Sequence, residues 1–353
     1  MERLMIVGCG GIGGVVASGL VKNGRHVLGV TGNPEISEAI RQNGLTLKGE
    51  GNTRFDVVAG LDEGVKPSSY DAVFLATPPN RAEKAAQDAL PFLKAGAPIV
   101  CFQNGLMEER LEQSIHEHPV IGGIVAFGAS MLAPGVVERT SNGGFVVGAL
   151  HGHVDPHVNY ISNILKGVSS VERTQNLRGA RWSKLAINCV ISTLGTVGGD
   201  RLGALMRHRF VRRLGLEIAS EVTAVAKSEG IDLEKVSGTL DLDWLALSND
   251  ERMIAASPGL IAKHTVLLAV GAKYRRLRSS MLSAIERGRE APIDYLNGEV
   301  VERGLKSNIP TPINAGLVEE VRRLGPDEKP SLARLNAFFE KSRKELRALN
   351  LAA

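Results

Sequence analysis

Lys184, Asn188 and Ser192 stand four residues apart in the run Arg181-Trp182-Ser183-Lys184-Leu185-Ala186-Ile187-Asn188-Cys189-Val190-Ile191-Ser192. On a helix this spacing puts all three on one face, and the other faces are apolar. A buried polar stripe needs a reason, because each unpaired polar group costs about 1–3 kcal/mol. One reason is catalysis. An ammonium can polarise a carbonyl and supply a proton, and two neighbouring side chains can hydrogen-bond the substrate. Burial lowers the ammonium pKa and makes that proton easier to give. The alternative is a lysine that snorkels and polar groups that bond to another helix.

A second pattern carries a different chemistry. The apolar run Met5-Ile6-Val7 leads directly into Gly8-Cys9-Gly10-Gly11-Ile12-Gly13, and Val15 to Val21 follows as a buried helix. Strand, glycine turn and helix in this order match the G-x-G-x-x-G spacing of a dinucleotide site. Gly8 permits the tight turn. Gly10 lets a pyrophosphate approach the backbone, and Gly13 lets the helix pack close to the strand. The helix N-terminus then offers free N–H groups and a partial positive charge to the anion. Gly8 through Gly13 are thus the expected cofactor-binding residues.

The second strand, His26 to Val30, ends at Thr31-Gly32-Asn33 with no acid; Glu35 follows a few residues later. An acid at the strand end would hold an NAD ribose hydroxyl and repel a 2′-phosphate. Its absence favours NADP(H). No arginine occupies the turn, and Arg41 and Arg81 are the nearest basic candidates, each of which also suits a solvated helix face.

Several elements must position these groups. Ala72 to Ala76, Pro98 to Phe102 and Val120 to Ala126 are further strands, with a helix over Arg81 to Leu93 between the first two. Strands alternating with helices predict an α/β fold with a Rossmann-type parallel sheet. Asn104, just past the fourth strand, falls at the carboxyl edge where ligands bind in such sheets. The runs 135–140 and 144–148 alternate as hairpin strands do. Beyond about residue 176 the pattern is helical: 179–196, 211–229, 264–277, 281–287, 294–303, 312–323 and 331–349. Residues 1–176 are therefore expected to form a dinucleotide-binding domain. Residues 177–353 are expected to form a mainly α-helical domain for substrate and dimerisation. The stretch 241–257 reads as a loop-rich insertion.

Composition narrows the partners. The 353 residues carry a formal net charge of +4 and are 23% charged, which is ordinary for a globular protein. No basic stripe with interleaved aromatics suggests nucleic acid, and no apolar run is long enough for a bilayer. Cys9, Cys101 and Cys189 sit in apolar segments without metal-ligand spacing. With an apolar strand in place of a signal segment at the start, they read as reduced core thiols of a cytoplasmic protein. His151, His153 and His157 resemble a metal cluster in sequence, but lie in a Gly/Pro/Asp-containing loop and read as solvated. His116 and His118 read the same way. Arg275, Arg276 and Arg278 form a basic cluster that suits either an anion or a solvated helix end.

The chain resembles the ketopantoate (2-dehydropantoate) reductases over most of its length. The resemblance rests on the glycine turn, Gln103-Asn104-Gly105, 182–188, Ser279-Ser280-Met281, 293–298 and 310–314. It implies that Lys184 is the general acid that protonates the alkoxide formed by hydride transfer. It implies that Asn104 lies at the cofactor and active site, that Asn188 binds substrate, and that Ser280 contacts it. Ser192 stands where the family has an asparagine. The family's Thr-Glu-Ile-Asp reads Ala291-Pro292-Ile293-Asp294 here, so Pro292 replaces the glutamate that holds the substrate hydroxyl. Glu290 and Asp294 flank the gap. Gly32 and Pro78 replace the family's cofactor-side arginine and lysine. Three readings follow: reduction of 2-dehydropantoate, reduction of another 2-oxo acid, or a low-turnover NADP-binding regulator.

Overall fold

A computed structural model describes residues 2–61, 64–152, 156–235, 240–253 and 256–352. The chain divides into two compact units, Met1–Leu177 and Arg178–Ala353.

The first unit is an α/β layer structure. Its strands are β1 (Arg3–Val7), β2 (His26–Val30), β3 (Leu45–Leu47), β4 (Gly51–Thr53), β5 (Asp56–Val58), β6 (Ala72–Leu75), β7 (Ile99–Cys101), β8 (Val120–Val125), β9 (Ala129–Ala133), β10 (Val136–Arg139), β11 (Phe145–Ala149) and β12 (Val171–Arg173). Eight form one sheet in the order β12-β11-β8-β7-β6-β1-β2-β5, and β4-β3-β10-β9 form a second. From β8 to β5 every pairing in the large sheet is parallel, and β11 turns antiparallel against β8. Central strands read as unbroken apolar runs because helices cover both faces; β1, β6 and β7 are buried along almost their whole length. The helices are α1 (Gly11–Lys22), α2 (Pro34–Asn43), α3 (Ala82–Ala89), α4 (Met107–Ser114) and α5 (Pro156–Leu165).

The second unit is helical: α6 (Leu177–Gly198), α7 (Leu202–Leu205), α8 (Arg209–Ser228), α9 (Leu242–Leu245), α10 (Asn249–Met253), α11 (Pro258–Lys273), α12 (Ser280–Glu286), α13 (Asn297–Lys306), α14 (Pro312–Arg322) and α15 (Leu332–Ala352). No helix among the described residues is long and apolar enough to cross a membrane.

The differences from expectation have local causes. The runs 135–140 and 144–148 are strands, but they do not pair with each other. β10 pairs with β9 across the Pro134-Gly135 turn, and β11 joins β8 in the other sheet. The helix expected to run to Leu93 ends at Ala89, and a tighter turn, Leu90–Phe92, takes over where Pro91 enters. The helix expected over 294–303 is two pieces, a 3₁₀ turn at Pro292–Tyr295 and α13, separated at Leu296 with ψ −101°. The stretch 241–257 contains α9 and α10. Buried polar contacts fasten it to its neighbours: Arg213 donates to the carbonyls of Glu251 and Arg252, and Lys263 pairs with Glu251 at 2.5 Å.

Candidate functional site

The glycine turn is shaped by what each missing side chain would strike. Gly8 has φ +106°, a conformation that favours glycine, and a Cβ there would lie 2.7 Å from the Ala76 backbone at the end of β6. Gly13 lies against the Gly8 carbonyl, and Gly11 lies under the Ala129 backbone. Gly10 differs, because a Cβ there would meet nothing within 4 Å. Its glycine therefore has no internal packing reason. It caps α1, where no side chain closes the helix end and no acid stands in the first turn. Open space above uncapped N–H groups fits a pyrophosphate. The Cys9 side chain is not part of this cradle. Its thiol is buried, donates to the Val30 carbonyl at 3.7 Å, and is pushed up to about 12 by burial. Only the Cys9 backbone belongs to the turn. Ile12 is half-buried.

The neighbouring carboxyl ends are tied together. The Gln103 amide donates to the Thr77 carbonyl and hydroxyl at 3.1 and 3.2 Å, and accepts from the Cys101 thiol at 2.9 Å. This clamp joins the ends of β6 and β7 and presents Asn104, which is exposed, on the same sheet edge as the glycine turn. The sequence alone marks Gln103 only as part of Gln103-Asn104-Gly105. The signal was its place beside Asn104 at a strand end.

At the end of β2, Gly32 leaves open space, and Asn33 accepts from the Glu35 N–H at 2.9 Å, capping α2. Arg41 stands at the far end of α2 and faces Ser37 and Glu38.

In the second unit, Lys184 and Asn188 are half-buried on α6 and Ser192 is buried, as a stripe of this spacing requires. The Asn188 Nδ2 is buried with no hydrogen-bond partner. Ser280 is exposed at the first position of α12, and its neighbour Ser279 is buried. Ser279 caps α12 and donates to the Ser192 carbonyl at 2.8 Å. Pro292 opens the 3₁₀ turn, where a missing N–H is tolerated. Asp294 is exposed and bound by Arg322 at 2.7 Å, and Glu290 is exposed.

The other candidates stand apart. His151 pairs with Glu112 at 2.9 Å on the surface, and the His118 ring meets the Ala97 carbonyl. His153 lies outside the described residues, among which no group of His, Cys, Asp or Glu could hold a metal. Arg278 pairs with Glu286 on the surface. Cys9, Cys101 and Cys189 are buried, and none of them is in a disulfide.

Comparison with known proteins decides the family. The ketopantoate reductase PanE/ApbA family model matches residues 4–152, and its C-terminal counterpart matches residues 176–325. The chain belongs to the ketopantoate reductase family. It is an oxidoreductase, and the family uses a nicotinamide cofactor on small molecules. The 2-dehydropantoate 2-reductase of Pyrococcus horikoshii is 25% identical over 332 residues, covering 93% of this chain and all of the relative. That of Mesorhizobium japonicum is 25% identical over 344 residues, covering 91% of this chain and 97% of the relative. Among solved structures, a PanE/ApbA family ketopantoate reductase from Ralstonia eutropha superposes with TM-score 0.75 at 24% identity, covering 91% of this chain and 97% of the other. D-mandelate dehydrogenase in a ternary structure with NADH and anilino(oxo)acetate superposes with TM-score 0.76 at 20% identity, covering 96% and 99%.

Proposed function

We propose that this ketopantoate reductase family member reduces a 2-oxo acid with NADP(H), using Lys184 as general acid. One observation carries the reading. Asn188 keeps a buried Nδ2 without a partner on the face of α6 that carries Lys184. A buried amide donor left empty is costly, and a substrate oxygen would satisfy it.

Gly8 to Gly13 would hold the cofactor pyrophosphate at the start of α1, and Asn104 would stand at its nicotinamide end. The bound cofactor supplies a hydride to the keto carbon. The chain's own groups do the rest. The Lys184 ammonium polarises the carbonyl and gives its proton to the oxygen as negative charge develops there. Asn188, Ser192 and Ser280 orient the acid by hydrogen bonds.

The preference for NADP(H) rests on the end of β2, where no carboxylate stands between Thr31 and Asn33 and Gly32 leaves room for a 2′-phosphate. The contrary reading, NADH, is favoured by Glu35 in the first turn of α2 and by the lack of an arginine in the turn. Paired calorimetric titrations decide it, and tighter NADH refutes the preference.

For the substrate, 2-dehydropantoate is the family's own. Pro292 favours a second reading, a 2-oxo acid that lacks its hydroxyl. Oxidation of NADPH and NADH with a panel of 2-oxo acids tests both. Tight cofactor binding with no turnover on any acid instead supports a regulatory protein. Three buried thiols outside any disulfide suit a reducing compartment such as the cytoplasm. α11 exposes Ile261 and Leu268, an apolar face that a second copy of the chain would cover. Sedimentation at equilibrium tests that dimer, and a monomer refutes it.

A further inference from the structure

Two side chains outside the Lys184 stripe hold α6 by its backbone and its far face. The Ser279 hydroxyl donates to the Ser192 carbonyl at 2.8 Å and meets the Thr196 hydroxyl at 2.8 Å. Asn297 reaches α6 one turn away. Its Oδ1 accepts from Thr193 at 2.5 Å, and its Nδ2 lies 3.5 Å from the Cys189 carbonyl. Asn297 is fully buried and is held from behind in turn. Its Nδ2 donates to the Asn314 Oδ1 at 2.8 Å, and the Asn314 Nδ2 donates to Glu221 at 2.7 Å. Glu221 also accepts the backbone N–H groups of Ile313 and Asn314, both at 2.9 Å, closing the start of α14.

The side-chain relay from Thr193 to Glu221 runs one way. Thr193 donates to Asn297, Asn297 to Asn314, and Asn314 to a carboxyl oxygen of Glu221, whose side chain also accepts two backbone N–H groups. Three N–H groups converging on the Glu221 oxygens therefore fix both amide orientations as far as α6. On a helix, Thr193 projects well away from the stripe. The bonds set the rotation of α6 about its own axis and leave the Asn188 amide out of the network. They also join α6 to α12, which carries Ser280, and to α13, which follows the turn that Pro292 opens.

We propose that Asn297, oriented through Asn314 by Glu221, is a positioning residue that sets the rotation of α6 and so aims the short Asn188 amide at the substrate. This rests on the reductase reading above. Asn297 touches no reacting atom in this account.

The test uses Thr193→Val in the full chain, which keeps shape and removes only the donor at α6. Asn297→Ala is the harsher companion. Three quantities are read: kinetics on whichever panel acid the unmodified protein reduces, NADPH affinity by calorimetry, and hydrogen exchange across 188–192. The expected result is a KM for the acid raised about tenfold, kcat changed less than threefold, unchanged NADPH affinity and faster exchange at 188–192. Thr193→Ser, which restores the donor, should return KM to its original value. A lowered Tm with unchanged KM and unchanged exchange at 188–192 overturns the proposal. If the unmodified protein reduces no acid, the functional reading falls. Hydrogen exchange then decides the positioning role alone, with faster exchange supporting it and unchanged exchange overturning it.

Discussion

A Cβ at Gly13 would lie 1.8 Å from the carbonyl oxygen of Gly8. The start of α1 thus packs directly on the turn that follows β1, and no side chain fits between them. At Gly10 the same construction meets open space. The two glycines should fail differently. Gly13→Ala should lower stability by about 1–3 kcal/mol, the usual range for overpacking, or prevent folding. Gly10→Val should melt within a few degrees of the unmodified chain and bind neither NADPH nor NADH. Calorimetric melting and cofactor titration on both variants check this. A folded Gly10→Val that still binds cofactor would remove the pyrophosphate from that space.

Lys184→Ala should bind cofactor normally and turn over slowly. General acid catalysis is worth roughly 10²–10⁴-fold, so a kcat loss of that size is expected at unchanged cofactor affinity. A variant with nearly full activity would leave Lys184 as a packing residue.

Selectivity should be weak in the unmodified protein. A site that holds a substrate hydroxyl rejects the analogue lacking it by ~10⁴–10⁵-fold, whereas an apolar pocket separates neighbours by only ~10–200-fold per methylene. Pro292 has no group to hold a hydroxyl, and Asp294 is already bound by Arg322. The ratio of kcat/KM for 2-dehydropantoate over its deoxy analogue should therefore stay below about 200 and rise in Pro292→Glu. Strong selectivity without the substitution would mean that another group, such as Glu290, takes the hydroxyl.

Two buried groups should pull the pH dependence of stability in opposite directions. Burial pushes the Glu221 carboxyl up to about 7, against the hydrogen bonds of Asn314 and Ile313 and the charge of Arg252. The folded chain then holds that proton more tightly than the unfolded chain does. Its contribution falls as pH rises from about 4.5 to about 7, by about 3 kcal/mol. Burial and the charges of Arg212, Arg209 and Arg213 push His264 down to about 4, so its contribution falls as pH drops from about 6.5 to 4. Between about pH 4.5 and 6.5 the two offset each other. Glu221→Gln should expose the histidine slope, with stability climbing over that interval in denaturant melts. Parallel pH profiles for the two proteins would sink the assignment.

What was legible in the sequence was whatever repeats over many residues or demands one residue type. The β1–α1 turn, β2, α6 and α8 stand where their patterns place them. Gly230 ends α8 with φ +69°, as a left-handed cap requires. Strands of three residues, such as β3, β4 and β12, are too short to show alternation. β9 was missed for a different reason. Its Ala129-Ser130-Met131-Leu132-Ala133 has no β-branched residue, and the Pro134-Gly135 turn was the only cue. The stripe on α6 was legible because its spacing is helical. Its supports were not, since Asn297 stands 104 positions from Thr193, and only folding brings them together.

The second sheet has a consequence for synthesis. β3 lies between β4 and β10, and the β10 pairing aligns Thr46 with Val136 and Leu47 with Val137. The ribosome releases β3 and β4 long before β10 exists. In that interval one side of β3 is an unsatisfied row of amides, open to any other nascent strand. α1 packs against this same sheet through Gly14 and Val137, so the helix that begins at the glycine turn gains its full cover only once residue 137 has emerged. A chain interrupted before that point would carry the whole glycine motif and still leave an open edge, and crowded translation should favour its self-association.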